Sequence, residues 1–256
     1  MITANQPFKK TKFKNKVIIV TGCNGQLGKA ICKMFLGLDS KVFGLDITEN
    51  RFKSKKFTFI KCDISKKINT DELVKKILKN EKKINILINN AGSSIFTPYK
   101  IRKSEEIDQV INANLKGTLN MILSVVNLSR KKTKKINILN IASIYGASIP
   151  NFTIYENKDR INSEIYGSTK ASIIHLSKYF AKILGPNKVI CNSLSPGGIL
   201  NKKIQRKSFI KKYSSKTPLR RMGLEKDILN GIYFLTHDDN TYTTGQNLVV
   251  DGGFTL

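Results

Sequence analysis

The chain has 256 residues, a length that suits one large α/β domain with a substantial core. It carries 45 Lys and Arg against 18 Asp and Glu, a formal net charge of +27. The basic residues are spread over the whole chain and no basic patch is interleaved with aromatic residues, so we attribute the charge to biased composition. Specific nucleic-acid binding is the less favoured alternative.

The cysteines and the N-terminus bear on the compartment. Met1 to Lys16 is polar and Lys-rich, and no later apolar run approaches the length of a membrane span. No pair of cysteines forms a C-x-x-C motif, which favours a reducing cytoplasm over a disulfide framework; the four lie at Cys23, Cys32, Cys62 and Cys191. We expect a basic N-terminal arm at 1–15, one catalytic domain at 16–256, a cytoplasmic location and no membrane partner.

Short apolar runs alternate with segments of helical spacing. The predicted strands cover 17–20, 41–46, 57–62, 84–88, 136–141, 189–194 and 248–250, and the predicted helices cover 27–38, 71–79, 104–114, 115–129, 163–184 and 225–235. Thr70 and Ser104 are the expected caps of two of these helices. We expect 196–217 to be a loop. Strands that alternate with helices predict a parallel sheet covered on both faces.

The first strand leads into a glycine-rich turn, Thr21-Gly22-x-x-Gly25-x-x-Gly28, and then into a helix. Glycines allow close approach and positive φ, so the N–H groups at the helix start could face a pyrophosphate. A glycine-rich connection without a ligand is the alternative. The second strand ends at Asp46, 18 residues after Gly28. A carboxylate there would accept hydrogen bonds from the adenosine ribose and repel a 2′-phosphate, which favours NAD over NADP; a turn cap is the other interpretation of Asp46.

Tyr166 and Lys170 lie four residues apart, on one face of a predicted helix. A phenol with an ordinary pKa of about 10 exchanges protons poorly at neutral pH, unless a nearby cation stabilises the phenolate. We expect Lys170 to supply that cation. Alone, this spacing is frequent by chance, and a solvated helix face would be the preferred interpretation.

Taken together with Asn89-Asn90-Ala91-Gly92, Asn114, Ser143, Pro196-Gly197-Gly198 and Asp251-Gly252-Gly253, these motifs resemble the short-chain dehydrogenase/reductase family, from about Lys16 to Leu256. The resemblance implies a doubly wound Rossmann fold, a parallel seven-stranded sheet with helices on both faces. It also implies an NAD(P)-dependent oxidoreductase that interconverts a secondary alcohol and a carbonyl, with NAD as the cofactor that Asp46 favours.

The resemblance implies four catalytic residues. Tyr166 would act as the general acid and base, and Ser143 would hydrogen-bond the reacting oxygen. Lys170 would lower the tyrosine pKa and hold the nicotinamide ribose, while Asn114 would fix a water in a proton relay. The implied cofactor contacts are Gly22, Asn24, Gly25, Gln26, Leu27, Gly28, Asp46, Asp63, Ile64, Asn90, Ala91, Gly92, Tyr166, Lys170, Pro196, Gly197 and Ile199. No metal is expected, because the two histidines lack partners at ligand spacing.

Three features depart from the family pattern. Gln26 stands where the usual turn has its second glycine, and Asn201 stands where a threonine often follows Pro-Gly. Ser143 and Tyr166 are 23 residues apart, a longer interval than usual. Tyr155 lies at a more usual distance from Ser143, but Asp159 occupies its i+4 position, so we assign the catalytic role to Tyr166. The extra segment, Pro150 to Glu164, is expected to form a wall over the substrate cleft.

The substrate is less well indicated. A loop in the substrate-lid region carries six cations, Lys202, Lys203, Arg206, Lys207, Lys211 and Lys212, which favours an anionic small molecule or merely reflects the general lysine bias. Tyr155-Glu156 and the 216–222 stretch look like members of bacterial surface-sugar or flagellin-glycan pathways, so a sugar, nucleotide sugar or polyol is our hypothesis. The alternatives are a 3-oxoacyl-acyl-carrier-protein reductase and a non-catalytic NAD-binding regulator. Relatives pair their long helices across two-fold axes, which implies a homodimer or homotetramer.

Overall fold

We describe the protein from a computed structural model, which describes residues 12–50, 52–129, 133, 135–155 and 161–256. The seven strands are β1 (Val17–Thr21), β2 (Lys41–Asp46), β3 (Phe57–Lys61), β4 (Ile86–Asn89), β5 (Ile136–Ile141), β6 (Val189–Pro196) and β7 (Asn247–Val250). They form one parallel sheet in the order β3-β2-β1-β4-β5-β6-β7. The predicted doubly wound, seven-stranded Rossmann sheet is confirmed.

Helices cover both faces of this sheet. They are α1 (Gln26–Gly37), α2 (Lys67–Glu81), α3 (Ser104–Val110), α4 (Gly117–Ser129), α5 (Glu164–Leu184), α6 (Lys207–Lys216) and α7 (Glu225–Thr236), with a π-helical segment, Ile111–Lys116, between α3 and α4. One core cluster joins the sheet to α2, α4 and α5, and a second joins its other face to α1 and α7. Because both faces are covered, the central strands are buried along their whole length, as β-branched runs such as that of β1 predict.

The order of the strands creates the cleft. β1 pairs with β2 on one side and with β4 on the other, so the chain leaves the carboxyl ends of β1 and β4 in opposite directions. In open α/β sheets ligands bind at such a switch point. The glycine-rich turn follows β1, and Asn90-Ala91-Gly92 follows β4, so both predicted cofactor motifs lie at this edge.

Three sequence expectations about helices are wrong in detail. α6 forms within the predicted loop; its few apolar residues give too weak a stripe, and it is held by a small cluster around Tyr213 and Met222. Thr70 is not a cap, because α2 begins at Lys67 and the Thr70 hydroxyl instead donates to the Lys67 carbonyl. Ser104 is the first helical residue of α3 rather than its cap.

The N-terminal arm was expected to be flexible up to residue 15, but Phe13 is fully buried. Its ring packs against Phe35 of α1 and Tyr233 of α7, with centroid distances of 5.7 and 5.3 Å. The rest of the expected arm, residues 1–11, lies outside the described residues. In the described ranges, no helix combines the length and hydropathy of a membrane span.

Candidate active site

The glycine-rich turn packs directly against the segment after β4. Gly22 has φ +66°, and a Cβ there would lie 2.7 Å from Ala91 Cα. A Cβ at Gly28 would lie 2.0 Å from the Gly22 carbonyl oxygen, so α1 can begin this close to the turn only with glycine at that position. The Asn90 amide donates to the carbonyls of Thr21 and Gly22, at 3.0 and 3.1 Å. These contacts fix the position of the glycine-rich turn, so that the N-terminus of α1 faces the cleft.

The cleft has a volume of about 640 Å³. Eleven of the predicted cofactor residues line it: Gly22, Gly25, Gln26, Leu27, Gly28, Asp46, Asp63, Ile64, Asn90, Ala91 and Gly92. Sequence reasoning missed its other lining residues, among them Leu45, Ile47, Cys62, Ser65, Ser93, Gln109, Asn112 and Ala113. Leu45 and Cys62 lie at or just after the ends of strands, and that position could have predicted them from the sequence. No local sequence pattern predicts Gln109 and Asn112.

Asp46 stands at the end of β2 on the wall of this cleft. Its Oδ2 accepts a hydrogen bond from the Asn24 N–H at 3.0 Å, and its Oδ1 accepts from the N–H and hydroxyl of Thr48 at 3.1 and 2.9 Å. The hydrogen bonds that Asp46 makes within the protein are therefore those of a turn cap. Since a carboxylate has about four acceptor positions, the group can still accept from a ribose hydroxyl.

The side chains of Asn24 and Ile199 line neither this cleft nor the neighbouring chamber. Asn24 donates instead to the carbonyls of Thr48 and Glu49. Ile199 forms a bridge with Gly223 and packs into the core on the α1 side. The expected cofactor contacts of Asn24 and Ile199 therefore stay predictions, and both side chains already have other partners.

A second cavity, of about 520 Å³, lies beside the cleft, and we call it the chamber. Ser143, Tyr166, Pro196 and Gly197 line it together with apolar and aromatic side chains, which include Phe96, Ile144, Tyr145, Tyr155, Phe209, Tyr213 and Met222. Tyr155 and Asn162 line it from the two described parts of the inserted segment, which confirms that this segment forms a wall; residues 156–160, with Asp159, lie outside the described residues.

Tyr166 and Ser143 meet in the chamber. Burial raises the pKa of Tyr166, and a hydrogen bond with Ser143 lowers it by a smaller amount. The net direction is opposite to our expectation that Lys170 would lower this pKa. Lys170 Nζ lies 5.6 Å from the centroid of the Tyr166 ring and donates to the Ile141 carbonyl at 2.8 Å. The hydrogen bond that Nζ makes in the structure therefore goes to a backbone carbonyl.

Lys170 is buried between the two cavities, with 5% of its surface exposed. A Cβ at Gly92, on the wall of the cleft, would lie 3.5 Å from Nζ, while Tyr166 opens to the chamber. Burial lowers the pKa of Lys170 to about 8. The lysine therefore belongs to the junction where a nucleotide in the cleft and a substrate in the chamber would meet.

Asn114 lies in the π-helical segment and is buried. Its Oδ1 accepts from the Ser93 N–H at 2.7 Å, and its Nδ2 donates to the Ser93 carbonyl and the Thr169 hydroxyl, each at 3.0 Å. Thr169 precedes Lys170 on α5, so Asn114 ties the segment after β4 to the helix that carries the lysine. π-Helical bulges are frequent at functional sites.

The turn after Ser143, a 3₁₀ turn over Ile144–Gly146, packs directly on α5. A Cβ at Gly146 would lie 2.6 Å from the backbone carbonyl carbon of Lys170, and one at Gly167 would lie 2.9 Å from the Tyr145 carbonyl oxygen. The two glycines bring the backbones into contact and set the position of Ser143 relative to Tyr166. Sequence reasoning missed both, although each is adjacent in sequence to a chamber tyrosine.

The expected cationic lid does not turn its charge inward. All six basic residues of the lid region are exposed, and Arg206 is the member of this group that lines the chamber. The wall that α6 presents is instead made by Phe209 and Tyr213. The chamber therefore offers much less positive charge than the sequence of the loop indicates.

Two departures from the family pattern contact each other. Asn201 Nδ2 donates to Gln26 Oε1 at 2.9 Å, and Gln26 Nε2 donates to the Leu200 carbonyl and to Glu225 Oε1, both at 2.8 Å. We call this set the Gln26–Asn201 contact. It connects the glycine-rich turn to the loop after β6, and a glycine at position 26 could not make it.

Comparison with known proteins agrees with this geometry. The family model described as enoyl-(acyl carrier protein) reductase matches residues 25–255. The chain belongs to the short-chain dehydrogenase/reductase family. The crystal structure of a short chain dehydrogenase from Leptospira borgpetersenii with bound NAD⁺ is 38% identical, covers 99% of both chains and superposes with a TM-score of 0.91.

Two curated relatives in this family have different names. The post-translational flagellin modification protein A of Campylobacter coli is 30% identical, over 95% of this chain and 99% of its own. The 3-oxoacyl-[acyl-carrier-protein] reductase of Thermotoga maritima is 29% identical, over 96% of this chain and 100% of its own. As a short-chain dehydrogenase/reductase, the chain is an oxidoreductase, and its cleft fits a dinucleotide because a glycine turn, a helix start and an acidic strand end line one cavity.

We predict that Gly146→Ala impairs both stability and turnover. The new Cβ would press on the backbone of Lys170, which cannot yield as a flexible side chain can, so unfolding should become easier by about 1–3 kcal/mol. Displacement of Ser143 should lower kcat about 100-fold. Gly185→Ala is the control, since a Cβ there has nothing within 4 Å. Urea unfolding and initial rates measure both effects, and equal behaviour of the two variants would contradict the packing argument.

We predict that Lys170→Met changes how stability depends on pH. The pKa of Lys170 is about 8 in the folded protein and 10.5 ordinarily, so between these values the unfolded protein binds more protons. The destabilisation by burial is fully present below pH 8 and is relieved as pH rises to 10.5. The free energy of unfolding of wild type should therefore rise, relative to that of the variant, by about 3 kcal/mol between pH 8 and pH 10.5.

Urea unfolding of both proteins at pH 7 to 10.5 measures that difference. Lys178→Met, at an exposed position of the same helix, is the control and should show a constant difference from wild type. A constant difference for Lys170→Met as well would refute the burial cost.

Proposed function

We propose that this oxidoreductase uses NAD to interconvert a secondary alcohol and a carbonyl, with residues 16–256 as one catalytic domain. The observation that carries the proposal is the meeting of Ser143 and Tyr166 in the chamber, with Lys170 buried between the chamber and the cleft. When bound, the nicotinamide would supply or accept the hydride.

The residues then have separate tasks. Tyr166 exchanges a proton with the substrate oxygen as general acid and base, and Ser143 hydrogen-bonds that same oxygen as charge develops on it. Because burial raises the pKa of Tyr166, the phenol is protonated at neutral pH and is ready to donate during carbonyl reduction. Alcohol oxidation requires the phenolate, and Lys170 is the buried cation nearest to stabilise it.

In this proposal Asn114 mainly positions the helix that carries Lys170, whereas its expected role was to fix a relay water. Three hydrogen bonds to Ser93 and Thr169 occupy most of its amide, so it positions the residue beside Lys170. One lone pair of Oδ1 remains to accept from a relay water, since an amide oxygen accepts two hydrogen bonds. Lys170 would hold the nicotinamide ribose hydroxyls from its place behind Gly92.

NAD is the proposed cofactor because of Asp46. Its carboxylate lies on the wall of the cleft, where a 2′-phosphate would add a second negative charge beside it. The Leptospira relative with bound NAD⁺ supports this choice.

For the substrate we propose a sugar, nucleotide sugar or polyol of a bacterial surface-glycan pathway, which the name of the Campylobacter coli relative supports. A 3-oxoacyl-acyl-carrier-protein reductase is the second candidate, favoured by the Thermotoga maritima relative and by exposed cations that could meet an acidic carrier. A non-catalytic regulator is the least supported, because it would not need Ser143, Tyr166 and Lys170 together. We further propose a cytoplasmic enzyme that forms a homodimer or homotetramer and binds neither nucleic acid nor membrane.

Tyr166→Phe tests the chemistry. We expect this variant to lose at least about 1000-fold in kcat, since it lacks the proton that the reaction transfers, while NAD binding by fluorescence titration stays within twofold. Tyr179→Phe, at an exposed position of the same helix, should keep full activity. Retained turnover in the Tyr166 variant would show that another group transfers the proton.

Asp46→Ala tests the cofactor choice. Wild type should have a kcat/KM for NAD at least tenfold above that for NADP, and the substitution should remove most of this preference by removing charge repulsion and a ribose acceptor. Glu49→Gln changes a neighbouring exposed acid and should leave the preference unchanged. A wild-type enzyme that prefers NADP would overturn the assignment.

A further inference from the structure

The wall of the chamber contains three aromatic rings in a row, and a fourth ring, that of Phe254, stacks behind Tyr213. Tyr155 of the inserted segment lies 5.6 Å from Phe209, Phe209 lies 6.0 Å from Tyr213, and Tyr213 stacks on Phe254 at 4.2 Å with an interplanar angle of 5°. Phe96, Ile144 and Met222 add further apolar surface to the chamber. Flat apolar walls of this kind suit a ring-shaped substrate.

Few polar atoms of this wall are available to a substrate with many hydroxyls. The Tyr213 hydroxyl accepts from the Gly198 N–H at 2.6 Å, and the Gln205 amide bonds both Ile199 and Asn201. A fully hydroxylated ring would leave several of its hydroxyls without partners, and that costs free energy in a dry site. The chamber therefore favours a substrate that is apolar over most of its surface.

One polar element in the wall is not fully committed. The hydroxyls of Tyr145 and Tyr155 hydrogen-bond each other at 3.2 Å, and Asn162 hydrogen-bonds Tyr155. Two phenols that share one hydrogen bond use one of their two protons. The second phenolic proton is not used in this bond, and both tyrosines line the chamber. The pair can thus donate one hydrogen bond to a substrate oxygen.

This tyrosine pair is close to the reacting group. The Tyr145 N–H donates to Ser143 Oγ at 3.2 Å, and the Tyr145 carbonyl packs on α5 at Gly167, the residue after Tyr166. Burial raises the pKa of Tyr145, and the neighbouring phenols, Tyr166 among them, raise it further, so Tyr145 lies near Tyr166. An oxygen that the pair binds must lie within a few bonds of the substrate carbon held at Ser143 and Tyr166.

We propose that Tyr145 and Tyr155 recognise a second oxygen of the substrate, and that the substrate is a largely apolar ring with a secondary alcohol or ketone and one further oxygen nearby. This inference rests on the proposed NAD-dependent oxidation of a secondary alcohol. It disagrees with the sugar or polyol proposed above, because the chamber wall favours rings that carry few hydroxyls. Both tyrosines determine specificity in it and take no part in proton transfer.

Oxidation of defined probes by wild-type enzyme with NAD tests the class. We compare 1-tetralol, tetralin-1,2-diol, tetralin-1,3-diol and myo-inositol. At least one of the tetralin diols should have a kcat/KM tenfold or more above that of 1-tetralol. The kcat/KM of myo-inositol should be lower than that of 1-tetralol and of the preferred diol. Equal rates for 1-tetralol and both diols, or a preference for myo-inositol, would overturn the proposal.

The variants assign the preference to the pair. Tyr155→Phe keeps the ring and removes the hydroxyl, so the ratio of kcat/KM for the diol to kcat/KM for 1-tetralol should fall to about one. Tyr145→Phe should lose less, because Asn162 still holds the Tyr155 hydroxyl. Tyr242→Phe, whose side chain is fully exposed, should leave the ratio unchanged. A diol preference that survives in both chamber variants would refute the role of the pair.

A binding experiment separates this proposal from the proposed function. Displacement of 1-anilinonaphthalene-8-sulfonate from the NADH complex measures the affinity of each probe without turnover. Tighter binding of a diol with no oxidation would support the tyrosine pair and contradict the oxidoreductase chemistry. Oxidation without a preference for a diol would support the oxidoreductase chemistry and contradict the role of the tyrosine pair. If no probe binds, the proposed substrate class is refuted.

Discussion

The buried ammonium of Lys170 constrains the whole site. It lies between the cleft and the chamber, is held by the carbonyl at the end of β5, and has its pKa lowered by burial. A charge in this position destabilises the fold, so the surrounding structure must hold it firmly. The π-helical segment does so through Asn114 and Thr169. Gly92, in the segment after β4, lies close to the ammonium, since a Cβ there would be 3.5 Å from Nζ. The site thus depends on contacts between three separate elements.

Backbone contact, more than side-chain contact, sets the distances around this lysine. Gly28 lets α1 start against the turn after β1, and Gly146 lets the turn after Ser143 lie on α5. The Gln26–Asn201 contact adds a connection between the glycine-rich turn and the loop after β6. Each departure, considered alone, looks like a weakened family motif. In the structure the two residues form one hydrogen-bonded set across the mouth of the cleft.

The chamber shows why overall charge is a poor guide to substrate. Its lid region is strongly basic, yet α6 turns Phe209 and Tyr213 inward and leaves its lysines exposed. An amphipathic helix at this place separates a charged outer face from an apolar inner one. The inserted segment contributes Tyr155 to the same wall, so two elements with no regular family motif supply three of the chamber's aromatic rings.

The sequence by itself determined the seven-stranded parallel sheet, its helical layers and the residues at its carboxyl edge. Apolar runs, glycine turns and strand ends are local signals, and the sheet order brings them together. Only the tertiary structure decided the start of α2, the helix α6, the burial of Phe13 and the direction of the Tyr166 pKa. These depend on packing between residues far apart in the chain, since Thr70 bonds Ser124, α6 needs its aromatic cluster, and desolvation of a phenol has no signature in its neighbours. The paired hydroxyls of Tyr145 and Tyr155 belong to the same class, because the turn and the insertion that carry them meet only when the chamber closes around both.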